Sequence, residues 1–265
     1  MTVRYACQTY AWQMSGERYR GAVAHMADVV AEAGFGGVEP EVFMLDGMND
    51  PDVVGPLLDE RGLELAALCL VEDWRGGRES HAERASADAA IRFVARFPAA
   101  RLSLCQMPGP DREDLRERQR NLLACVNAIA DRAEAAGVAC TYHTNSPLGS
   151  VFRTAEDYEA LLDGLDERIG FTPDLGHIAR GGMDPLEIVR TYRARVDHVH
   201  VKDMHADGTW APTGDGEVDV VGVHSYLCDS GYAGWIVFED ESAEAEHDPD
   251  GAARRAAAFV RQALR

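Results

Sequence analysis

Lysine is almost missing from this chain: of 26 basic side chains in 265 residues, 25 are arginine and a single one, Lys202, is lysine. Against 45 acidic groups the formal charge is −19. A clustered basic face, which phosphate backbones and anionic headgroups demand, is lacking, so neither nucleic acid nor a membrane is expected as a partner. No apolar run reaches the roughly 18 residues of a membrane span. The stretch MTVRYACQTYAW has no basic n-region, apolar h-region or small-residue cleavage site, which makes the cytoplasm the expected location. The six cysteines show no C-x-x-C spacing, and four sit in apolar runs, so buried free thiols are expected rather than disulfides or a cysteine–zinc site. Neither a G-x-S-x-G elbow nor a Walker lysine is found, and hydrolase and NTPase chemistry lose their usual motifs. The run Gly214-Asp215-Gly216-Glu217-Val218-Asp219 lacks a third glycine and carries three acids, which argues against a phosphate cradle.

What is present is core material, 46% hydrophobic against 27% charged, without a Gly/Ser/Pro linker, so one domain over residues 1–265 is expected. Short apolar runs predict strands at Arg4–Thr9, Gly36–Glu39, Glu64–Cys69, Arg101–Cys105, Val138–His143, Ile169–Pro173, Val196–Val201 and Trp235–Glu239. Helical patterns alternate with them, near Tyr19–Ala33, Pro51–Arg61, Ala82–Arg96, Arg112–Ala136, Ala155–Leu162, Pro185–Arg195, Val220–Asp229 and Asp250–Leu264. Gly34, Gly62 and Gly137 stand where helix C-caps belong, and Thr154–Asp157 reads as a near capping box. Strict βα alternation over this length predicts an α/β fold, a closed (β/α)8 TIM barrel, with an open doubly wound sheet as the alternative.

In such a barrel the chemistry sits at the carboxyl ends of the strands. Here the fifth strand ends in Tyr142-His143-Thr144-Asn145, the sixth in Asp174-Leu175-Gly176-His177, the seventh in His198-Val199-His200-Val201-Lys202-Asp203 and the eighth in Glu239-Asp240-Glu241. His143, Asp174, His200 and Glu239 together offer two nitrogens and two carboxylates, a mixed set suited to Mn²⁺, Co²⁺, Fe²⁺ or Zn²⁺ rather than Ca²⁺, with manganese favoured. Strand alternation puts His198 on the same face as His200, where it would support that ligand. Glu39, after Gly36-Gly37-Val38, either caps the next element or binds a substrate hydroxyl, and Trp12 and Trp74 are candidate pocket walls or packing beneath loops.

At these strand ends the chain resembles the sugar phosphate isomerase/epimerase family, the xylose-isomerase-like TIM barrels that include ketose 3-epimerases, inosose dehydratases and, more distantly, endonuclease IV. Asp174-Leu175-Gly176-His177 is similar to the family's D-x-G-H, and His198-Val199-His200-Val201-Lys202-Asp203 to its H-V-H-x-K-D. The resemblance implies that Asp174, His200 and Glu239 hold a divalent metal and that His177 contacts substrate. The fifth strand departs from the epimerases, which place a glutamate where this chain has His143; inosose dehydratases are more similar there. The leading expectation is a metal-dependent isomerase or epimerase that takes the proton α to the carbonyl of a ketose or keto-polyol, through an enediolate that the metal stabilises, with Glu239 as base and His177 and Lys202 as proton donors and substrate contacts. A lyase of the inosose dehydratase type, on a keto-inositol or 3-keto sugar, is close behind, and a non-catalytic sugar-binding subunit is the alternative from another class. The expected partner is a small unphosphorylated sugar or keto-polyol, with homo-oligomerisation left open.

Overall fold

The computed structural model describes residues 3–264. Eight parallel strands form its centre: β1 (Arg4–Gln8), β2 (Gly37–Glu39), β3 (Ala67–Glu72), β4 (Arg101–Gln106), β5 (Ala139–His143), β6 (Gly170–Thr172), β7 (His198–Val201) and β8 (Trp235–Phe238). One arc runs β2–β1–β8–β7 and the other β3–β4–β5–β6. Parallel bridges between Glu41 and Cys69, and from Phe171 to Val196 and Asp174 to His200, join the arcs into a ring. The sheet is therefore the closed barrel, and the open doubly wound sheet is excluded.

Alternation along each strand sorts the side chains. Leu68 and Leu70, Leu102 and Leu104, Cys140 and Tyr142, Val199 and Val201, and Ile236 and Phe238 point outward and merge with the helices into one apolar core. Their neighbours of opposite parity point inward, and toward the carboxyl ends these are Gln8, Cys69, Cys105, His143, His200 and Glu239, which line a cavity. Lower in the barrel, Thr141 Oγ1 lies 2.7 Å from Thr172 Oγ1 and donates to Asp197 Oδ1 at 2.9 Å, while Arg101 pairs with Asp197 at 2.8 Å. The interior is thus filled below and open above.

Local chemistry accounts for the boundaries. Gly34, Gly62 and Gly137 all adopt positive φ where the chain leaves a helix: Gly34 is the C-cap itself, Gly137 follows the C-cap Ala136, and Gly62 lies two residues after the C-cap Glu60. The first long helix is Val23–Ala33 rather than one starting at Tyr19, because Gly21 takes φ +74°, where an added Cβ would lie 2.5 Å from the Asp46 carbonyl. Asp157 accepts the Thr154 N–H at 2.9 Å, one arm of the expected capping box. The third strand is broken: Glu64–Leu65 pairs with β2, and β3 resumes after Ala66 to pair with β4. Two short helices, Tyr10–Met14 and Leu175–Arg180, follow β1 and β6 directly. Five cysteines are buried and Cys228 is exposed, all as free thiols. Among the described residues no helix is long and apolar enough to cross a membrane.

Candidate active site

The cavity at the carboxyl ends of the strands has a volume of about 180 Å³. On one wall, ligand atoms of His143, Asp174, His200 and Glu239 all lie within 4.8 Å of one another, and all four residues are buried. The backbone explains why they converge. Asp174 is the N-cap of the helix Leu175–Arg180: its Oδ1 accepts the His177 N–H at 2.8 Å, which leaves Oδ2 free to face the site. Gly176 lets that helix approach β7, since a Cβ there would come within 2.5 Å of Lys202 Cβ. The glycine of Asp174-Leu175-Gly176-His177 is thus a packing requirement.

His200 is held from two sides. Its Nε2 donates to Glu39 Oε1 at 3.0 Å and its Nδ1 to Glu239 Oε2 at 2.9 Å. His198 Nε2 donates to the other Glu39 oxygen at 2.6 Å. Burial lowers the basicity of His200, but the Glu39 and Glu239 charges outweigh it and push its pKa up to about 10. Glu39, which burial alone would raise, is held well below the carboxylate range by the two imidazoles. A carboxylate–imidazole pair of this kind fixes the ring of a metal-ligating histidine.

These residues fit a divalent cation. Asp174 Oδ2 and both ring nitrogens of His143 are buried without a hydrogen-bond partner, although His143 Nε2 lies only 3.4 Å from Asp174 Oδ2. Orphaned polar atoms facing one another in this way are costly unless something binds between them. Burial and the neighbouring His200 hold the His143 pKa down, so its lone pairs are available. Glu39, His198 and His200 also lie close together, but Glu39 already spends both oxygens on the two rings, so that group supports the first one.

Lys202, the lone lysine, is buried at the edge of this wall. Its ammonium lies 2.9 Å from Glu239 Oε1, 2.5 Å from Glu241 Oε1, 2.9 Å from His177 Nε2 and 3.5 Å from Asp174 Oδ2. Burial disfavours that charge, yet Asp174, Glu239 and Glu241 keep its pKa well above the usual lysine value. His177 moves the opposite way: burial and the Lys202 charge depress it far below the usual histidine value. Neutral His177 therefore accepts from Lys202 at Nε2 and carries its proton on Nδ1, donating to Ser146 Oγ at 2.8 Å. Glu239 is lowered to about 2; burial opposes this, and Lys202 and His200 bring it about.

Three candidate contacts lie elsewhere. Glu39 is 0% exposed, is absent from the cavity lining, and gives both carboxylate oxygens to His198 and His200. Trp12 is buried against the C-terminal helix, its indole N–H donating to Asp250 at 2.7 Å, and Trp74 is buried in the core. Neither tryptophan walls the cavity, because both are turned into packing rather than toward the barrel axis. The Gly214–Val218 loop is indeed no phosphate cradle: Asp203 Oδ2 accepts from the N–H groups of Gly214 and Gly216 at 3.0 Å, and Asp203 Oδ1 from that of Val218 at 3.1 Å. Sequence reasoning missed Tyr10, Glu41, Asn145, Arg180 and Glu241, which do line the cavity. Glu41, Asn145 and Glu241 share one signal, each standing two residues after a strand-end candidate, Glu39, His143 and Glu239 respectively.

The family model described as "Xylose isomerase-like TIM barrel" matches residues 27–263. An inosose dehydratase of Clostridium perfringens is 27% identical over 165 residues, which cover 55% of this chain and 55% of that protein. The chain thus spans about half the length of that relative. Among solved structures, the IOLI protein with a bound zinc atom superposes with a TM-score of 0.77 at 12% identity, covering 98% of each chain. A D-allulose 3-epimerase from Methylomonas sp., in complex with D-allulose, superposes with a TM-score of 0.75 at 21% identity, covering 98% of this chain and 97% of its own. At such identities the likeness to the two structures is one of fold.

Proposed function

Because the chain belongs to the xylose isomerase-like TIM barrel family, we propose that it is a cation-dependent enzyme that removes the proton α to the carbonyl of an uncharged keto-polyol and expels the β-hydroxyl as water. The observation that carries this reading is Glu239, an ionised carboxylate set between His200 and Lys202 at 2.9 Å from each, beside partnerless Asp174 and His143 atoms. The name of the Clostridium perfringens relative supports the same chemistry.

His143, Asp174, His200 and Glu239 would hold the cation, manganese being the first choice among Mn²⁺, Co²⁺, Fe²⁺ and Zn²⁺. When bound, it supplies positive charge beside the carbonyl oxygen and so makes the adjacent C–H more acidic. Glu239 takes the proton. Lys202 offers its ammonium to a substrate oxygen, oriented by His177 and Glu241, and His177 is itself set by Ser146. Cysteines 69 and 105 face the cavity as un-ionised thiols, since burial drives both pKa values up, that of Cys105 to about 12. The cations lining the cavity are Lys202 and Arg180, and Lys202 is already paired with Glu239 and Glu241, which favours a neutral polyol over an anionic substrate.

Loss of water is favoured over inversion because β5 delivers His143 where the epimerases that the chain resembles place a glutamate. A second reading, isomerisation, is favoured by one observation: a single base such as Glu239 is enough to shift a proton between adjacent carbons on one face. The test is to incubate manganese-loaded protein with 2-keto-myo-inositol and a panel of ketoses and follow products by NMR. Loss of water from the keto-cyclitol supports the lyase, and a rearranged ketose supports the isomerase. Binding without any turnover would turn the reading to a sugar-binding subunit.

A further inference from the structure

Glu41 is the cavity residue that the reading above leaves without a task. It stands two residues beyond the end of β2, pinned by a parallel bridge to Cys69 and by its own N–H donating to Thr9 Oγ1 at 3.4 Å. In an eight-stranded ring β2 lies four strands from β6 in either direction, so Glu41 occupies the wall across from Asp174, itself two residues beyond β6. Its side chain is 9% exposed and lines the cavity. Among the described residues no lysine, arginine or histidine nitrogen lies within 4.0 Å of its carboxyl group, whereas Glu239 and Glu241 are both paired with Lys202. A buried carboxyl without a cation keeps its proton. In agreement, burial and the Glu239 charge push Glu41 up to about 7, against the lowering effect of the Gln13 amide.

Resting on the proposed α-deprotonation by Glu239, we propose that Glu41 is a second acid–base catalytic residue, the carboxylic acid that protonates the departing β-hydroxyl from the opposite wall. The α C–H pair becomes the new Cα=Cβ bond as its proton passes to Glu239, the Cβ–O bond breaks with its pair going to oxygen, and the Glu41 proton completes a water molecule. Glu41 ends as a carboxylate and Glu239 as an acid, and exchange with solvent restores both. No oxidant or reductant is consumed.

The test is Glu41→Gln, which keeps the shape and loses the acidic proton, with Glu41→Asp as a second variant that keeps an acid. Manganese-loaded protein is incubated in D₂O with 2-keto-myo-inositol, and NMR follows both α-deuteration and water loss, with melting curves verifying the fold. The expected result for Glu41→Gln is a fall in water loss of about 100-fold or more, the range of general acid catalysis, while α-deuteration stays within about tenfold and Glu41→Asp restores part of the loss. Equal loss of both signals, or water loss at the wild-type rate, overturns the role of Glu41. Wild-type protein that neither deuterates nor dehydrates the probe overturns the underlying α-deprotonation as well, and so is told apart from failure of Glu41 alone.

Discussion

Cation binding at this site should release one proton near neutral pH, and the structure says which. His200 lies 3.0 Å from Glu39 and 2.9 Å from Glu239, with its pKa raised to about 10, so without a cation it is an imidazolium that must lose a proton before Nδ1 can ligate. His143 is held down by burial and by His200, so it is already neutral and contributes none. Each pH unit below the His200 value weakens apparent affinity tenfold, so at pH 8 proton competition costs about 3 kcal/mol. Calorimetric titration of Mn²⁺ into cation-free protein, in buffers of differing ionisation enthalpy, counts the proton directly. The expected count is close to one between pH 7 and 8.5, with affinity rising about tenfold per pH unit. A count near zero with flat affinity would refute the reasoning, and a count near two would bring in a second protonated group of the cavity, with Glu41 the first candidate. The same group sets a stability profile: a raised histidine stabilises fully below its unfolded value of about 6.5, and that contribution is lost as pH rises toward 10. The melting temperature of cation-free protein should therefore fall over that window and be restored by Mn²⁺.

Two substitutions separate packing from chemistry. Gly176→Ala places a methyl 2.5 Å from Lys202 Cβ, and thermal unfolding should register a loss of about 1–3 kcal/mol, together with weaker Mn²⁺ binding as Asp174 shifts; unchanged melting would show that the helix can yield. Trp12→Phe removes the 2.7 Å hydrogen bond to Asp250, outside the cavity, so Tm should drop by the equivalent of about 1 kcal/mol while Mn²⁺ affinity stays within twofold.

The barrel was legible because its rhythm is repeated eight times, and the metal-type wall because β5 to β8 carry imidazoles and carboxylates in short strand-end motifs. The sequence leaves alternatives open for Glu39, Trp12 and Trp74, because proximity to a strand end does not say which way each side chain turns, and the two tryptophans turn into packing. Glu39 turns to His198 and His200, and the two imidazoles engage both its oxygens. Trp12 belongs to the short helix Tyr10–Met14, which rotates it toward the C-terminal helix. Glu41 stands near a strand end, two residues after Glu39, but only closure of the ring sets it across the cavity from Asp174. The break at Ala66 was likewise hidden, because the pieces on either side of it are equally apolar.

The central claim, that Glu239 deprotonates a carbon beside a carbonyl, is tested most directly by deuterium exchange into 2-keto-myo-inositol, comparing manganese-loaded wild type with Glu239→Gln after Mn²⁺ content has been measured in both. The account predicts solvent deuterium at the α-carbon with wild type and a loss of at least about 100-fold in the variant, even where Mn²⁺ is still bound. Exchange at the wild-type rate in manganese-bearing Glu239→Gln would contradict it.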